Sequence, residues 1–120
     1  MAHNRHGHAA HSFKDFVADQ LRDVKGVVCR AMFSGYGAYS GDIFFGIIHK
    51  DRLYFKTDQR TRLEYQELGM QSLRPNARQT LTTYYEVPVD IIEDPDQLAA
   101  WARKAMACNK TKPLTKQTRR

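Results

Sequence analysis

The sequence predicts an α+β domain in two layers, with an antiparallel sheet whose helices pack mainly on one face. Three features of the chain indicate this class. The spacing of apolar residues changes from helical to alternating at Val27, segments of strand character then follow one another through short turns, and helical patterns return later. A parallel sheet would need a helix between successive strands, which this order does not provide. The expected order of elements is α-β-β-β-α-β-β-α.

The first helix is predicted over residues 13–25. Ser12 has the position of an N-cap, Asp15 follows it three residues later, and Gly26 suits the C-cap. The side chains expected on its buried stripe recur at helical spacing and are Phe13, Phe16, Val17, Leu21 and Val24.

Three strands are then expected to form a meander. The first begins at Val27 and turns Cys29 toward its apolar side, where a cysteine is more often a small core residue than a nucleophile. The segment 34–37 is interpreted as a turn, because its two glycines permit unusual backbone conformations. The second strand is the apolar run 43–48, and a polar hairpin turn over residues 49–52 leads to the third strand, 53–57.

The second half of the chain holds two more helices and one or two strands. Thr57 or Asp58 can cap a helix that ends at Gly69, and its apolar stripe comprises Leu63, Tyr65 and Leu68. Residues 70–75 predict a short edge strand stopped by Pro75, and residues 80–87 predict a clearer strand. Pro95 suits the first position of the last helix, whose buried stripe is expected to comprise Leu98, Trp101, Ala102, Ala105 and Met106.

Length and composition exclude several classes of protein. A chain of 120 residues with 42% hydrophobic content supports one modest core. No apolar run approaches the roughly 18 residues of a membrane span, and the N-terminus lacks the apolar segment of a signal peptide. Two cysteines are too few for a disulfide framework. We therefore expect a cytoplasmic protein with free thiols and no membrane contact.

The formal net charge of +6 comes from the two ends of the chain. Residues 109–120 carry five basic side chains and no acid, whereas residues 13–108 hold 13 basic and 13 acidic side chains. We expect a neutral folded domain over 13–108, preceded by a disordered His-containing tail, 1–12, and followed by a basic disordered tail, 109–120.

No pattern typical of a catalytic or cofactor-binding site is present, so we expect no enzyme activity and no cofactor. Gly35-Tyr36-Gly37 is not followed by a helix, which favours a structural role over phosphate binding. The N-terminal histidines could bind a transition metal, but a flexible segment lacks the surrounding hydrogen bonds that fix a metal site. We expect no native metal function of His3, His6, His8 and His11.

Several segments together resemble the N-terminal domain of the TfoX/Sxy competence regulators over about residues 13–107. They read Met-Phe-Ser-Gly-Tyr-Gly-Ala-Tyr from residue 32, Leu-Tyr-Phe-Lys-Thr-Asp from residue 53 and Tyr-Tyr-Glu-Val-Pro from residue 84. The motif residues are Arg30, Met32, Phe33, Gly35, Gly37, Tyr39, Pro88 and Trp101. Ser34 stands where the family pattern has a glycine. The resemblance implies a secretion-chaperone-like fold and a bacterial transcriptional coactivator that works with a cyclic-AMP receptor-type activator.

Two functional hypotheses follow. The first, which we favour, is a regulatory domain that binds a protein partner through its sheet face or an edge strand, or that pairs with a second copy of itself. The second is a nucleic-acid-binding protein whose basic tail and Arg-rich middle contact phosphates without sequence specificity. The candidate contact residues are Lys56, Arg60, Arg62, Arg74, Arg78, Tyr85, Lys110 and Lys112. Arg30 lies in an otherwise apolar strand and is expected to pair with an acid such as Glu86.

Overall fold

Six antiparallel strands form one sheet, and four helices accompany it. A computed structural model describes the backbone of residues 9–32 and 34–117 and the side chains of residues 12–32 and 34–108. In chain order the elements are α1 (Ala9–Gln20), β1 (Val27–Met32), β2 (Gly35–Ser40), β3 (Ile43–His49), β4 (Arg52–Lys56), α2 (Gln59–Glu67), β5 (Ser72–Asn76), β6 (Gln79–Glu86), α3 (Val89–Ile92) and α4 (Pro95–Gln117). The strands lie side by side in the order β1-β2-β3-β4-β6-β5.

The predicted α+β class, the antiparallel sheet and the order of elements are confirmed, with two additions. The short helix α3 follows Pro88, and the segment interpreted as a turn at residues 34–37 instead begins strand β2. The meander therefore has four strands. At Gly35 and Gly37, neighbouring groups come too close to leave room for a side chain. These glycines do not reverse the direction of the chain.

Helix α1 differs from its predicted bounds at both ends. It begins at Ala9, so Ser12 lies inside the helix and is not its N-cap. It ends at Gln20. Residues 21–26 then form turns, in which hydrogen bonds join residues three positions apart, such as Val24 N–H to Leu21 O (2.9 Å). These turns keep the predicted buried side chains of Leu21 and Val24 in the core, whereas Phe16 is 42% exposed.

Helices α2 and α4 begin as the sequence predicted. The Asp58 carboxylate accepts the backbone N–H of Arg60 (3.0 Å) and of Thr61 (2.9 Å), while the Thr61 hydroxyl accepts the N–H of Asp58. At the start of α4 the Asp94 carboxylate accepts the backbone N–H of Asp96 and of Gln97, and Pro95 is the first residue of that helix. The stripe predicted for α2 is only partly right, since Tyr65 is buried but Leu63 and Leu68 are more than half exposed.

The hairpin between β3 and β4 has a two-residue turn. Lys50 and Asp51 both have positive φ angles, 52° and 60°, and His49 pairs with Arg52 across the turn. Positive φ at both central residues is typical of the turn whose twist matches that of an antiparallel pair. The predicted polar hairpin at residues 49–52 is therefore confirmed.

The main core lies between the helices and one side of the sheet, which we call the helix-covered face. Helix residues such as Val17, Leu98 and Trp101 pack there on strand residues such as Phe45 and Phe55. Cys29 also packs against this core, as predicted. The opposite side, which we call the open face, has a smaller cluster to which no helix residue in the described part of the chain contributes.

The backbone of α4 continues beyond Cys108 to Gln117, past the point where the sequence predicted the folded domain to end. The side chains of Lys110 and Lys112 and the N-terminal histidines lie outside the residues whose side chains are described. The division into a domain and two disordered tails stays a prediction. Among the described helices, none is long and apolar enough to cross a membrane.

We predict that Asp58→Ala lowers the free energy of unfolding by about 1 kcal/mol, because the first turn of α2 loses its side-chain acceptor. Asp58→Asn should cost clearly less, since an amide oxygen still accepts both N–H groups. Urea unfolding at pH 7 measures both variants. Equal losses for alanine and asparagine would contradict the capping role.

The hydrogen bonds that Asp58 accepts, above all from the Thr61 N–H, lower the pKa of its carboxyl below the ordinary value of 3.8. A group with a lowered folded-state pKa contributes stability that is complete above its unfolded pKa and is lost as the pH falls through the folded one. We predict that the loss of stability below about pH 4 is shallower in Asp58→Asn than in the unsubstituted chain. Urea midpoints measured between pH 2 and pH 6 test this, and parallel curves would contradict it.

We predict that Gly35→Ala is far more destabilising than Gly37→Ala. A methyl group on Gly35 would overlap the backbone carbonyl of Ile48, whereas one on Gly37 meets only side-chain atoms, the nearest being the Met32 sulfur at 2.8 Å. The first change should cost at least about 3 kcal/mol and the second about 1 kcal/mol. Chemical denaturation of both variants checks the order, and a Gly35→Ala protein as stable as the parent would refute it.

Candidate functional site

The open face carries a continuous row of aromatic and cationic side chains. Tyr39 stacks on Phe44 with ring centroids 5.0 Å apart, and Phe44 lies 5.9 Å from Tyr84. A cationic group lies at each end of this row. The guanidinium carbon of Arg30 is 4.9 Å from the centroid of the Tyr39 ring, and Nζ of Lys56 is 5.3 Å from the centroid of the Tyr84 ring. We call these five residues the aromatic row. It crosses the sheet from the edge strand β1 to β6.

The aromatic row is held together by its own contacts. Aromatic pairs and cation–π pairs each contribute roughly 0.5–1.5 kcal/mol, so the row stabilises the face that the helices leave uncovered. Burial raises the pKa of Tyr84 to about 12, which keeps its phenol neutral. Each ring of the row packs against a neighbour, so the row does not offer the free ring faces on which unpaired bases stack.

Arg30 does not form the ion pair expected from the sequence. Glu86 instead accepts two hydrogen bonds from the Arg52 guanidinium, at 3.1 and 3.2 Å. Arg30 is exposed and covers the Tyr39 ring. The prediction was wrong because this edge-strand position points to the open face, where the exposed guanidinium lies over the Tyr39 ring and needs no acidic partner.

A cleft opens between the β5–β6 hairpin and the beginning of β2 and end of β3. Its volume is about 450 Å³. The hairpin supplies Leu73, Pro75 and Leu81, and the opposite wall includes Met32 and Ile47. Leu73 and Ile47 also belong to the small core of the open face, so this core forms the floor of the cleft.

A polar pair also lines this cleft. Ser34 Oγ lies 3.3 Å from Nδ1 of His49, and His49 is only 7% exposed. Ser34 is the position at which the sequence departs from the family pattern, so the departure adds a hydroxyl group beside a buried imidazole. The sequence analysis missed this pair, because the two residues are 15 positions apart and only the pairing of β2 with β3 brings them together.

The basic residues proposed as a contact surface come from several elements of the fold. Lys56 lies over the Tyr84 ring of the open face and also lines a depression with Thr61 and Glu64 of α2, the helix that carries Arg60 and Arg62. Arg74 and Arg78 lie in the β5–β6 hairpin and are exposed.

Tyr85, a further proposed contact, lies on the helix-covered face, although its neighbour Tyr84 lies on the open face. Its ring is 6.0 Å from that of Tyr65, and its hydroxyl accepts a hydrogen bond from the Gln66 amide. Tyr84 is the one that faces the open side, where it is buried by its neighbours. Neither ring is therefore presented to solvent as expected.

The motif residues have structural roles that differ between the two faces. Gly35 and Gly37 sit where β3 and the aromatic row leave no room for a side chain. Trp101 is buried, with its ring 4.8 Å from Tyr65 in an edge-to-face contact, and Pro88 precedes α3. Phe33 lies outside the described residues. These motif residues therefore serve the packing of β2 and of α4.

The remaining reactive side chains of the described residues are two cysteines and scattered acidic groups. Both cysteines are free thiols, and burial raises the pKa of Cys29 and of Cys108, which disfavours the nucleophilic thiolate. Within the described residues, no group of three or more His, Cys, Asp or Glu side chains is placed to hold a metal ion.

Strand β1 forms one edge of the sheet and presents apolar side chains to solvent. All six of its residues pair in regular register with β2 on its inner side, and no described strand pairs with its outer side. Val28 is 49% exposed and Met32 is 38% exposed. The other edge, β5, contains Pro75 and two register shifts, features that discourage pairing with a further strand.

Comparison with known proteins agrees with this geometry. A family model described as the TfoX N-terminal domain matches residues 19–109, about three quarters of the chain. No curated protein matches the sequence. The matched range runs from α1 into α4 and includes the whole sheet, the aromatic row and the cleft. The chain therefore belongs to the TfoX N-terminal domain family.

Proposed function

We propose that this chain is a non-catalytic regulatory domain of bacterial transcription that binds a protein partner through the outer edge of β1. The observation that carries the proposal is the contrast between the two edges of the sheet. Natural proteins protect exposed edges with proline, bulges or charges, because an unprotected edge pairs readily with another chain. β5 has a proline and two register shifts, whereas β1 has neither in its six residues; its one charged side chain, Arg30, lies over the Tyr39 ring, and apolar side chains near both ends are exposed.

The way a partner would bind follows from that edge. An extended segment could add a seventh strand beside β1, with main-chain hydrogen bonds for affinity and side-chain contacts for specificity. Val28 and Met32 face the open side and would give that segment two apolar contacts. Arg30 lies between them and would favour an acidic residue opposite. Membership of the TfoX N-terminal domain family and the implied coactivator role support a cyclic-AMP receptor-type activator as the partner.

The competing hypothesis is phosphate contact by the basic residues. The described part of that set is divided among the open face, α2 and the hairpin, which does not favour a single nucleic-acid surface. The rings of the aromatic row pack on one another and so are not free to stack on bases beside a basic groove.

We predict that Val28→Lys weakens binding to the purified cyclic-AMP receptor-type activator at least about tenfold, because it places a charge in an apolar strand contact. The matched control is Leu63→Lys on α2, a similar change at a residue of similar exposure, 57% against 49%, away from the edge. Isothermal titration calorimetry measures both affinities, and light scattering of the chain alone reports pairing with a second copy.

The competing nucleic-acid hypothesis is tested by duplex DNA binding, which fluorescence anisotropy measures at two salt concentrations. The full chain is compared with a chain ending at Cys108. Two results together would favour the nucleic-acid role and overturn the proposal. DNA binding would have to be steeply salt-dependent and absent from the shorter chain, and Val28→Lys would have to leave every protein contact unchanged.

A further inference from the structure

The cleft on the open face has the size and shape of a small-molecule site. Such sites usually have volumes of about 300–1,000 Å³ and are mostly apolar, with a few polar groups that orient the ligand. The cleft, at about 450 Å³, lies within this range. Its walls come from separate parts of the sheet, because β5 and β6 reach over the face formed by β2 and β3.

The chemistry of the walls restricts the ligand. Apolar residues dominate, and the polar ones are two amides, a serine, a tyrosine and a histidine. No Lys, Arg, Asp or Glu is among the described residues that line the cleft. A ligand with a full charge would lose its hydration without gaining an ion pair, which disfavours charged molecules.

His49 supplies the point of recognition. Its side chain is more than nine-tenths buried and lines the cleft, yet only Nδ1 has a hydrogen-bonding neighbour, the Ser34 hydroxyl. Nε2 has no protein partner among the described residues. Buried polar groups in proteins are nearly always paired, and leaving one unpaired costs about 1–3 kcal/mol. A ligand group that bonds to Nε2 would remove this cost.

We propose that the cleft binds an uncharged, largely apolar small molecule that carries one hydrogen-bonding group, such as an amide or a hydroxyl, and that this group bonds to His49. The apolar part of the ligand would pack against Ile47, Leu73 and Leu81. Met32 belongs both to the cleft wall and to the proposed protein contact, whereas Val28 belongs to that contact alone and His49, Leu73 and Leu81 belong to the cleft alone. One can therefore fail without the other.

Three small probes of similar shape test the proposal by proton–nitrogen NMR titration of the full chain. Benzamide is neutral and has an amide, benzoate has the same shape with a charge, and toluene lacks the hydrogen-bonding group. We expect saturable benzamide shifts that are largest at the amides of Ser34, His49 and Leu81. Benzoate should bind at least about tenfold more weakly than benzamide.

Four variants locate the site. Leu81→Trp fills the cleft and should reduce benzamide affinity at least about tenfold, while Leu63→Trp on α2 and Val28→Lys on β1 should leave it unchanged. His49→Phe keeps the volume and removes the hydrogen bond, so it should weaken benzamide about tenfold and leave toluene unaffected. If Leu81→Trp lowers the melting temperature markedly, Gln79→Trp at an exposed position of the cleft replaces it.

The proposal is overturned by any of four results. These are benzamide shifts that do not saturate, shifts centred on the β1 edge, benzoate binding as tight as benzamide binding, or benzamide affinity unaffected by both the cleft-filling variant and His49→Phe. Saturable binding that depends on both the cleft and His49 supports it.

Discussion

The structure depends on one constraint: helices cover only one face of the six-stranded sheet, so apolar side chains on the other face have to be buried by the strands themselves. On the helix-covered face, α1, α2, α3 and α4 supply side chains that surround Phe45 and Phe55. On the open face, strand residues alone have to exclude water. The aromatic row and the small core of Ile47, Tyr54, Leu73 and Tyr84 do so with contacts between neighbouring strands.

This second layer of contacts is also what creates the candidate site. Because the β5–β6 hairpin packs Leu73 and Leu81 against Ile47, it stands over the face and leaves a cleft beside it. The buried imidazole of His49 is at this place because β3 ends there, and Ser34 meets it because β2 begins opposite. The cover of the sheet and the cavity therefore arise from the same packing.

The motif glycines belong to the same arrangement. Gly37 lies beneath Met32, Tyr39 and Phe44, so a side chain there would displace part of the aromatic row. Gly35 lies against the backbone of β3 next to the cleft. These two positions require glycine because of neighbours that are distant in sequence, which explains why a local interpretation of the segment as a turn was wrong.

Much of the fold was predictable because it depends on local patterns. The helix starts at Asp58 and Pro95, the hairpin at residues 49–52 and the buried Trp101 follow from capping chemistry, turn preferences and apolar spacing. The family resemblance was equally visible in the motif residues of the sequence. The site was not predictable in this way. The one signal was the apolar run 43–48, since a strand without alternation indicates burial on both faces.

The sequence by itself determined the class of fold, the order of its elements and the family. The tertiary structure decided which charges pair, which tyrosine faces the core and where a cavity opens. Glu86 pairs with Arg52 and not with Arg30, Tyr85 turns to the helices, and Ser34 meets His49. Each of these pairings depends on strand register, and the cavity depends also on the path of the β5–β6 hairpin. A shift of one residue in register reverses the face of every side chain in a strand, and sequence spacing alone does not specify that register.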